Sequence, residues 1–295
     1  MPLFGAHMSI AGGCYKALLA AQEHGMDTLQ LFTASPRNWR GNDLTKNSRW
    51  GGLTEEVVQQ FAQTWRTTTL QSPIAHDSYL INLASSDAFL YRRSLDAFVA
   101  ELERAEALGL SYVVMHPGTA VDGDEAAGLT RVAGALDEVH ERCPRFKVRV
   151  LLETTAGQGS TLGHRFEHLA EILSQVAKPE RLGVCLDTCH VFAAGYPLAP
   201  EKEYRTTLRA FDRLIGLEKL KAFHLNDSKK PQGSRVDRHE HIGKGCMGLE
   251  PFRLLVNDRR FRKHIMILET PKEGPHDEDM DVVNLATLKS LHAAG

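Results

Sequence analysis

The chain is short of cysteine, long apolar runs and net charge, and each shortage removes a class of protein. Its five cysteines are Cys14, Cys143, Cys185, Cys189 and Cys246. The count is odd, the spacing is irregular and no C-x-x-C pair occurs. That argues against a disulfide scaffold or a zinc finger and for reduced thiols in a cytoplasmic protein. Apolar stretches are brief: Val148–Leu152 is already broken by Arg149, whereas a membrane helix needs about 20 residues. The start, Met1-Pro2-Leu3-Phe4-Gly5, has no basic segment followed by an apolar one, so no signal peptide is expected. Thirty-five Lys and Arg stand against 37 Asp and Glu, a formal charge of −2. There is thus no general electrostatic case for nucleic-acid binding.

The distribution of charge says more than its sum. Residues 34–52 carry Arg37, Arg40, Lys46 and Arg49 against Asp43. Residues 228–245 carry Lys229, Lys230, Arg235, Arg238 and Lys244 against Asp237 and Glu240. Acid gathers at Asp277, Glu278, Asp279 and Asp281. Ordinary solvated loops would look the same, so these patches only mark places to examine.

What is present is a repeating pattern. Eight β-rich runs stand out: Leu3–His7, Thr28–Phe32, Ile74–Asp77, Tyr112–His116, Val148–Glu153, Leu182–Asp187, Leu220–Leu225 and Ile265–Glu269. Helical patterns separate them. Leu95, Phe98, Val99 and Leu102 follow the spacing of a helix with one buried face, as do Leu129, Val132, Leu136 and Val139. Further helices are expected near 12–24, 54–66, 165–176, 203–215, 249–256 and 279–292. Strand–helix alternation predicts parallel strands joined by crossovers. Eight repeats without a linker predict a single (β/α)₈ barrel over residues 1–295, rather than the five or six units usual in an open sheet. The loops at 33–53 and 226–248 are long, and long loops in compact folds tend to be functional.

The ends of the strands carry His, Asp and Glu. They are His76 and Asp77, His116, Glu153, Asp187 with His190 just beyond, His224, and Glu269; Asp237 and His239 lie in the loop after the seventh strand. In a (β/α)₈ barrel these ends converge on one mouth. Singly, a histidine there is more often a hydrogen-bonded packing residue, and a carboxylate more often a helix cap. Jointly those explanations fail, because crowded carboxylates repel unless cations lie between them. Imidazole plus carboxylate suits zinc, and also manganese or iron. The number of donors suits two or three ions. Such a cluster activates water and neutralises charge on a phosphate, so a phosphodiester is the natural substrate. No Ser-His-Asp set, P-loop or dinucleotide fingerprint competes with this reading.

The same residues sit in stretches that resemble the bacterial endonuclease IV family along essentially the whole chain. They include Gly5-Ala6-His7-Met8-Ser9, Ser35-Pro36-Arg37-Asn38-Trp39, His76 to Leu83, His116-Pro117-Gly118, Leu152 to Gly159, Leu186 to His190, His224 to Lys229, Val236 to His239 and Leu268 to Pro271. The resemblance implies a DNA-repair hydrolase that cuts duplex DNA 5′ to abasic sites, removes 3′-blocking groups and uses three zinc ions, with manganese an alternative at some positions. It implies that His76, His116 and Glu153 hold one ion. Glu153 would bridge to a second, also held by Asp187, His224 and Glu269. His190, Asp237 and His239 would hold the third. It assigns Glu153 and Glu269 as catalytic carboxylates and Arg37, Tyr79 and Leu80 as DNA contacts, in which an aromatic or apolar wedge replaces lost base stacking. It also implies a monomer; the chain is expected in the cytoplasm, associated with the nucleoid if bacterial. His7 is a candidate supporting or phosphate-contacting residue, and Lys244 and Cys246 receive no role. Tyr79 and Leu80 could instead pack as core at the start of a helix.

The alternative on the same fold is a sugar isomerase or epimerase of the xylose-isomerase type. Such a site should be richer in carboxylates than histidines, whereas five of the nine mouth donors here are histidines. A barrel that binds DNA without chemistry should have lost ligands, and none is missing.

Overall fold

A computed structural model describes residues 1–39, 53–274 and 278–292. Eight parallel strands close a barrel: β1 (Leu3–Met8), β2 (Gln30–Phe32), β3 (Ile74–His76), β4 (Tyr112–Met115), β5 (Arg149–Glu153), β6 (Leu182–Asp187), β7 (Leu220–His224) and, after two short strands, β10 (Ile265–Leu268). β1 closes the ring against β10, with Phe4 opposite Met266. The helices between them are α1 (Cys14–Glu23), α2 (Glu55–Arg66), α3 (Ala88–Ala107), α4 (Glu125–Arg142), α5 (Phe166–Gln175), α6 (Thr188–Ala193), α7 (Glu201–Leu214), α8 (Glu250–Val256) and α9 (Met280–Leu291). Several begin on a side chain that accepts one of the otherwise unpaired N–H groups of the first turn. Asp87 caps α3 at 2.7 Å and Asp124 caps α4 at 2.9 Å.

Burial follows the expected periodicities. Leu95, Phe98, Val99 and Leu102 of α3 and Leu129, Val132, Leu136 and Val139 of α4 all face the layer between barrel and helices. A second, smaller core fills the barrel itself: Ile74, Val114, Leu151, Cys185, Ala222, Ile265 and Ile267. Each of the eight expected strands is present, and their ends move by one or two residues at most. No helix among the described residues is long and apolar enough to cross a membrane.

A short helix and a two-stranded ribbon lie outside the expected elements. α6 begins directly where β6 ends. The 226–248 loop is not all loop: β8 (Asp227–Ser228) pairs antiparallel with β9 (His239–Glu240), Ser228 opposite His239. Arg40, Asp43, Lys46, Arg49 and Asp277 lie outside the described residues.

Candidate metal centre

Six strands deliver a donor by one device. Side chains alternate across a strand, so every second residue faces the barrel interior. Ile74, Val114, Leu151, Cys185, Ala222 and Ile267 form the apolar layer, and two residues further on stand His76, His116, Glu153, Asp187, His224 and Glu269. The other three arrive differently. His190 sits in the first turn of α6, His239 opens β9, and Asp237 precedes it. The Asp237 backbone N–H donates to the Gln158 side chain at 3.1 Å. That loop needs glycine at 157, where φ is +78° and a Cβ would lie 2.8 Å from the His164 ring.

The structure brings all nine donors together, in adjoining groups. His76 Nε2 and His116 Nε2 each lie 3.1 Å from Glu153 Oε2. The other oxygen of Glu153 lies 2.9 Å from His224 Nδ1, which is 3.1 Å from Glu269 Oε2 and 3.9 Å from Asp187 Oδ2. Asp237 reaches His190 Nε2 at 3.2 Å and His239 Nε2 at 3.3 Å. Donor atoms of Asp187, His190 and His239 also lie within 4.8 Å of one another, so Asp187 adjoins two groups. Glu153, Asp187 and His224 are wholly buried.

The chemistry of this set fits divalent cations. In a metal-binding histidine the remote ring nitrogen is held by an oxygen acceptor, which leaves a lone pair facing the ion. Here His76 Nδ1 donates to the Asp77 carbonyl at 3.0 Å, His190 Nδ1 to the Thr154 carbonyl at 2.8 Å, His239 Nδ1 to the Glu269 carbonyl at 3.1 Å and His224 Nε2 to Gln30 Oε1 at 2.8 Å. The carboxylates draw positive charge strongly. Burial pushes the Glu153 carboxyl up, but His224, His116 and His190 together hold it well below the usual range. Burial likewise opposes, and the histidines outweigh it, at Asp237, which is held down at about 2. Cys189 lies beside Asp237 and His239. Burial, with Asp187 adding, pushes its thiol up to about 12, and a protonated thiol is a poor ligand.

His76, His116, His190, Asp237, His239 and Glu269 face a cavity of about 350 Å³, with His7, Phe32, Tyr79 and Lys272 also on its walls. A larger cavity, about 420 Å³, lies along α7 and α8 among arginines and includes none of the nine donors. Tyr79 stands at the rim, 64% exposed, its ring 5.4 Å from Phe32. It is neither core nor the start of a helix, since α3 begins at Ala88. Leu80 is half-buried beside it and Arg37 is exposed. The Ser78 hydroxyl donates to the Pro36 carbonyl at 2.7 Å and ties the two loops together. His7 lies 3.6 Å from Glu269. Cys246 is exposed.

Gln30 and Asn226 also serve this site, though neither is a His, Asp or Glu at a strand end. Asn226 donates to Asp187 Oδ2 at 2.7 Å and accepts the Glu269 backbone N–H at 2.9 Å, joining two ligands. Its position two residues past the last inward-facing strand residue, His224, was the available signal.

Comparison with known proteins places the chain in a family. The family model described as xylose isomerase-like TIM barrel matches residues 18–290. A protein of Chloroflexus aurantiacus named probable endonuclease 4 is 47% identical over 293 residues, which is 99% of this chain and 98% of that one. The crystal structure of endonuclease IV from Thermus thermophilus superposes with a TM-score of 0.83 at 34% identity over 98% of both chains. The chain belongs to the xylose isomerase-like TIM barrel family and, within it, to the endonuclease IV family of hydrolases. A D-tagatose 3-epimerase-like protein also superposes, with a TM-score of 0.73 over 98% of this chain and 96% of that one. At 18% identity that likeness is one of fold alone.

Proposed function

We propose that this chain is a DNA-repair endonuclease that hydrolyses the phosphodiester 5′ to abasic sites in duplex DNA and clears blocked 3′ ends. The observation that carries the reading is the set of nine donors in adjoining groups at one barrel mouth. His76, His116 and Glu153 would hold one zinc ion. Glu153, Asp187, His224 and Glu269 would hold a second, and His190, Asp237 and His239 a third, with manganese an alternative at some positions. Bound cations of this kind make hydroxide available near neutral pH and neutralise charge growing on phosphate oxygens.

The protein's own residues do the rest. Glu153 links two groups and Glu269 closes the second, so these carboxylates are assigned the orientation of the attacking water. Tyr79 and Leu80 would fill the gap in the base stack, and Arg37 would hold a phosphate. The chain is proposed to act as a monomer in the cytoplasm, at the nucleoid. The test is a duplex with one abasic site, assayed with and without chelator, with the cut position mapped. Scission on the 5′ side that stops on chelation and returns with zinc supports the proposal. Chelator-resistant scission, or none by metal-loaded protein, contradicts it.

A further inference from the structure

The layer beneath the ligands is apolar at Ile74, Val114, Leu151, Cys185, Ala222 and Ile267, yet β2 contributes Gln30 to it. Gln30 pairs in register with Ile74 and is fully buried. A buried amide costs free energy unless its donors and acceptor are met. Every partner of this side chain belongs to the metal centre or its wall. Its Oε1 lies 2.8 Å from His224 Nε2, and its Nε2 lies 2.6 Å from Glu269 Oε1 and 2.9 Å from His7 Nδ1.

The direction of each hydrogen bond follows from Glu269. An ionised carboxylate only accepts, so the amide nitrogen must face it and the amide oxygen must face His224. His224 then carries its proton on Nε2. Its Nδ1 lone pair is turned toward Glu153 and Glu269, at 2.9 and 3.1 Å. The second amide hydrogen goes to His7 Nδ1. One side chain thereby sets the tautomer of one ligand and the orientation of another.

We propose that Gln30 is a positioning residue for the second group of ligands, holding His224 and Glu269 so that both present lone pairs to the same cation. This rests on the metal reading above. A glutamine that merely filled the layer could be exchanged for an apolar residue of the same length without consequence for metal.

Gln30→Met makes that exchange. Zinc per chain is measured by elemental analysis after dialysis against graded chelator, with circular dichroism to follow the fold and nitrogen-15 shifts to read the His224 tautomer. Loss of an orienting partner typically weakens metal affinity 10–100-fold. One zinc equivalent should leave the variant at about 10–100-fold higher free zinc than in the wild type, while the others stay, and His224 should become a mixture of tautomers. Wild-type affinity for every equivalent with a single tautomer overturns the proposal. Gln30→Glu is the second variant, should the first not fold. It keeps an acceptor for His224 but sets a like charge against Glu269, so the same equivalent should weaken with the tautomer retained; unchanged affinity again overturns the proposal. A wild-type chain that binds no zinc would instead refute the metal reading itself.

Discussion

Asp187 accepts the backbone N–H of His190 through Oδ1 at 2.8 Å, so one carboxylate both caps α6 and stands among the donors. Its other oxygen lies 3.7 Å from His239 Nε2 and 3.9 Å from His224 Nδ1. The ordinary explanation of a strand-end carboxylate as a helix cap is therefore true here and incomplete.

The two duties separate by mutation. Asparagine caps a helix as well as aspartate does, and losing a cap costs about 1 kcal/mol. Asp187→Asn should be more stable than Asp187→Ala by about that amount in denaturant unfolding, while both lose most of their activity on an abasic duplex. Equal stabilities would remove the capping role. An active Asn variant would remove the need for charge at this position.

Glu153 gives the larger effect, since it touches His76, His116, His190 and His224 at 2.9–3.2 Å. Glu153→Ala should lower kcat by several orders of magnitude with the barrel still folded, because metal activation of water supplies much of the barrier reduction. The check is single-turnover cleavage alongside circular dichroism and metal analysis. Near wild-type rates at any metal content would sink the assignment.

Much of this was legible in the sequence, and the reason is the two-residue period of a strand. Ile74 and His76, or Leu151 and Glu153, must face the same side, so an apolar inward residue followed two places later by His, Asp or Glu marks both barrel and mouth. Gln30 was not legible because one polar residue between Leu29 and Leu31, opening a three-residue strand, carries no periodicity. β8 and β9, at two residues each, are too short to show alternation. α6 was hidden because Thr188–Ala193 is short and starts directly on a strand end. Tyr79 could have been core or rim, and only its exposure decides.

Tyr79 should discriminate damage. Extrusion of a nucleotide costs least where the base is already missing, and an aromatic ring replaces the lost stacking. Stacking is worth about 1–3 kcal/mol per base, which predicts that Tyr79→Ala weakens binding to abasic duplex roughly 10- to 100-fold. Its exposure predicts no change in metal content or melting temperature. Paired affinity titrations on abasic and intact duplexes of one sequence are the measurement, and equal losses on both would assign discrimination elsewhere.

His140 gives a pH dependence away from the metal centre. Burial, with Arg181 adding, lowers its pKa from 6.5 to about 4. The folded state thus holds this ring neutral while the unfolded chain protonates it at the higher value. Its contribution is fully present above about pH 6.5, falls as the pH drops toward 4 and is constant below. Melting temperatures at pH 7.5 and 5 should therefore differ more in the wild type than in His140→Gln. An identical drop in both would show that this ring takes up protons freely in the folded state.

The central claim is that three groups of donors hold a working metal cluster. Its most direct test is stepwise zinc reloading of chelator-stripped protein, with metal content and abasic-site cleavage read from the same samples. Activity that is absent in the stripped chain and reaches its maximum only as zinc approaches three ions per chain is the predicted result. Full activity in the stripped chain, or a plateau at a single ion, would contradict it.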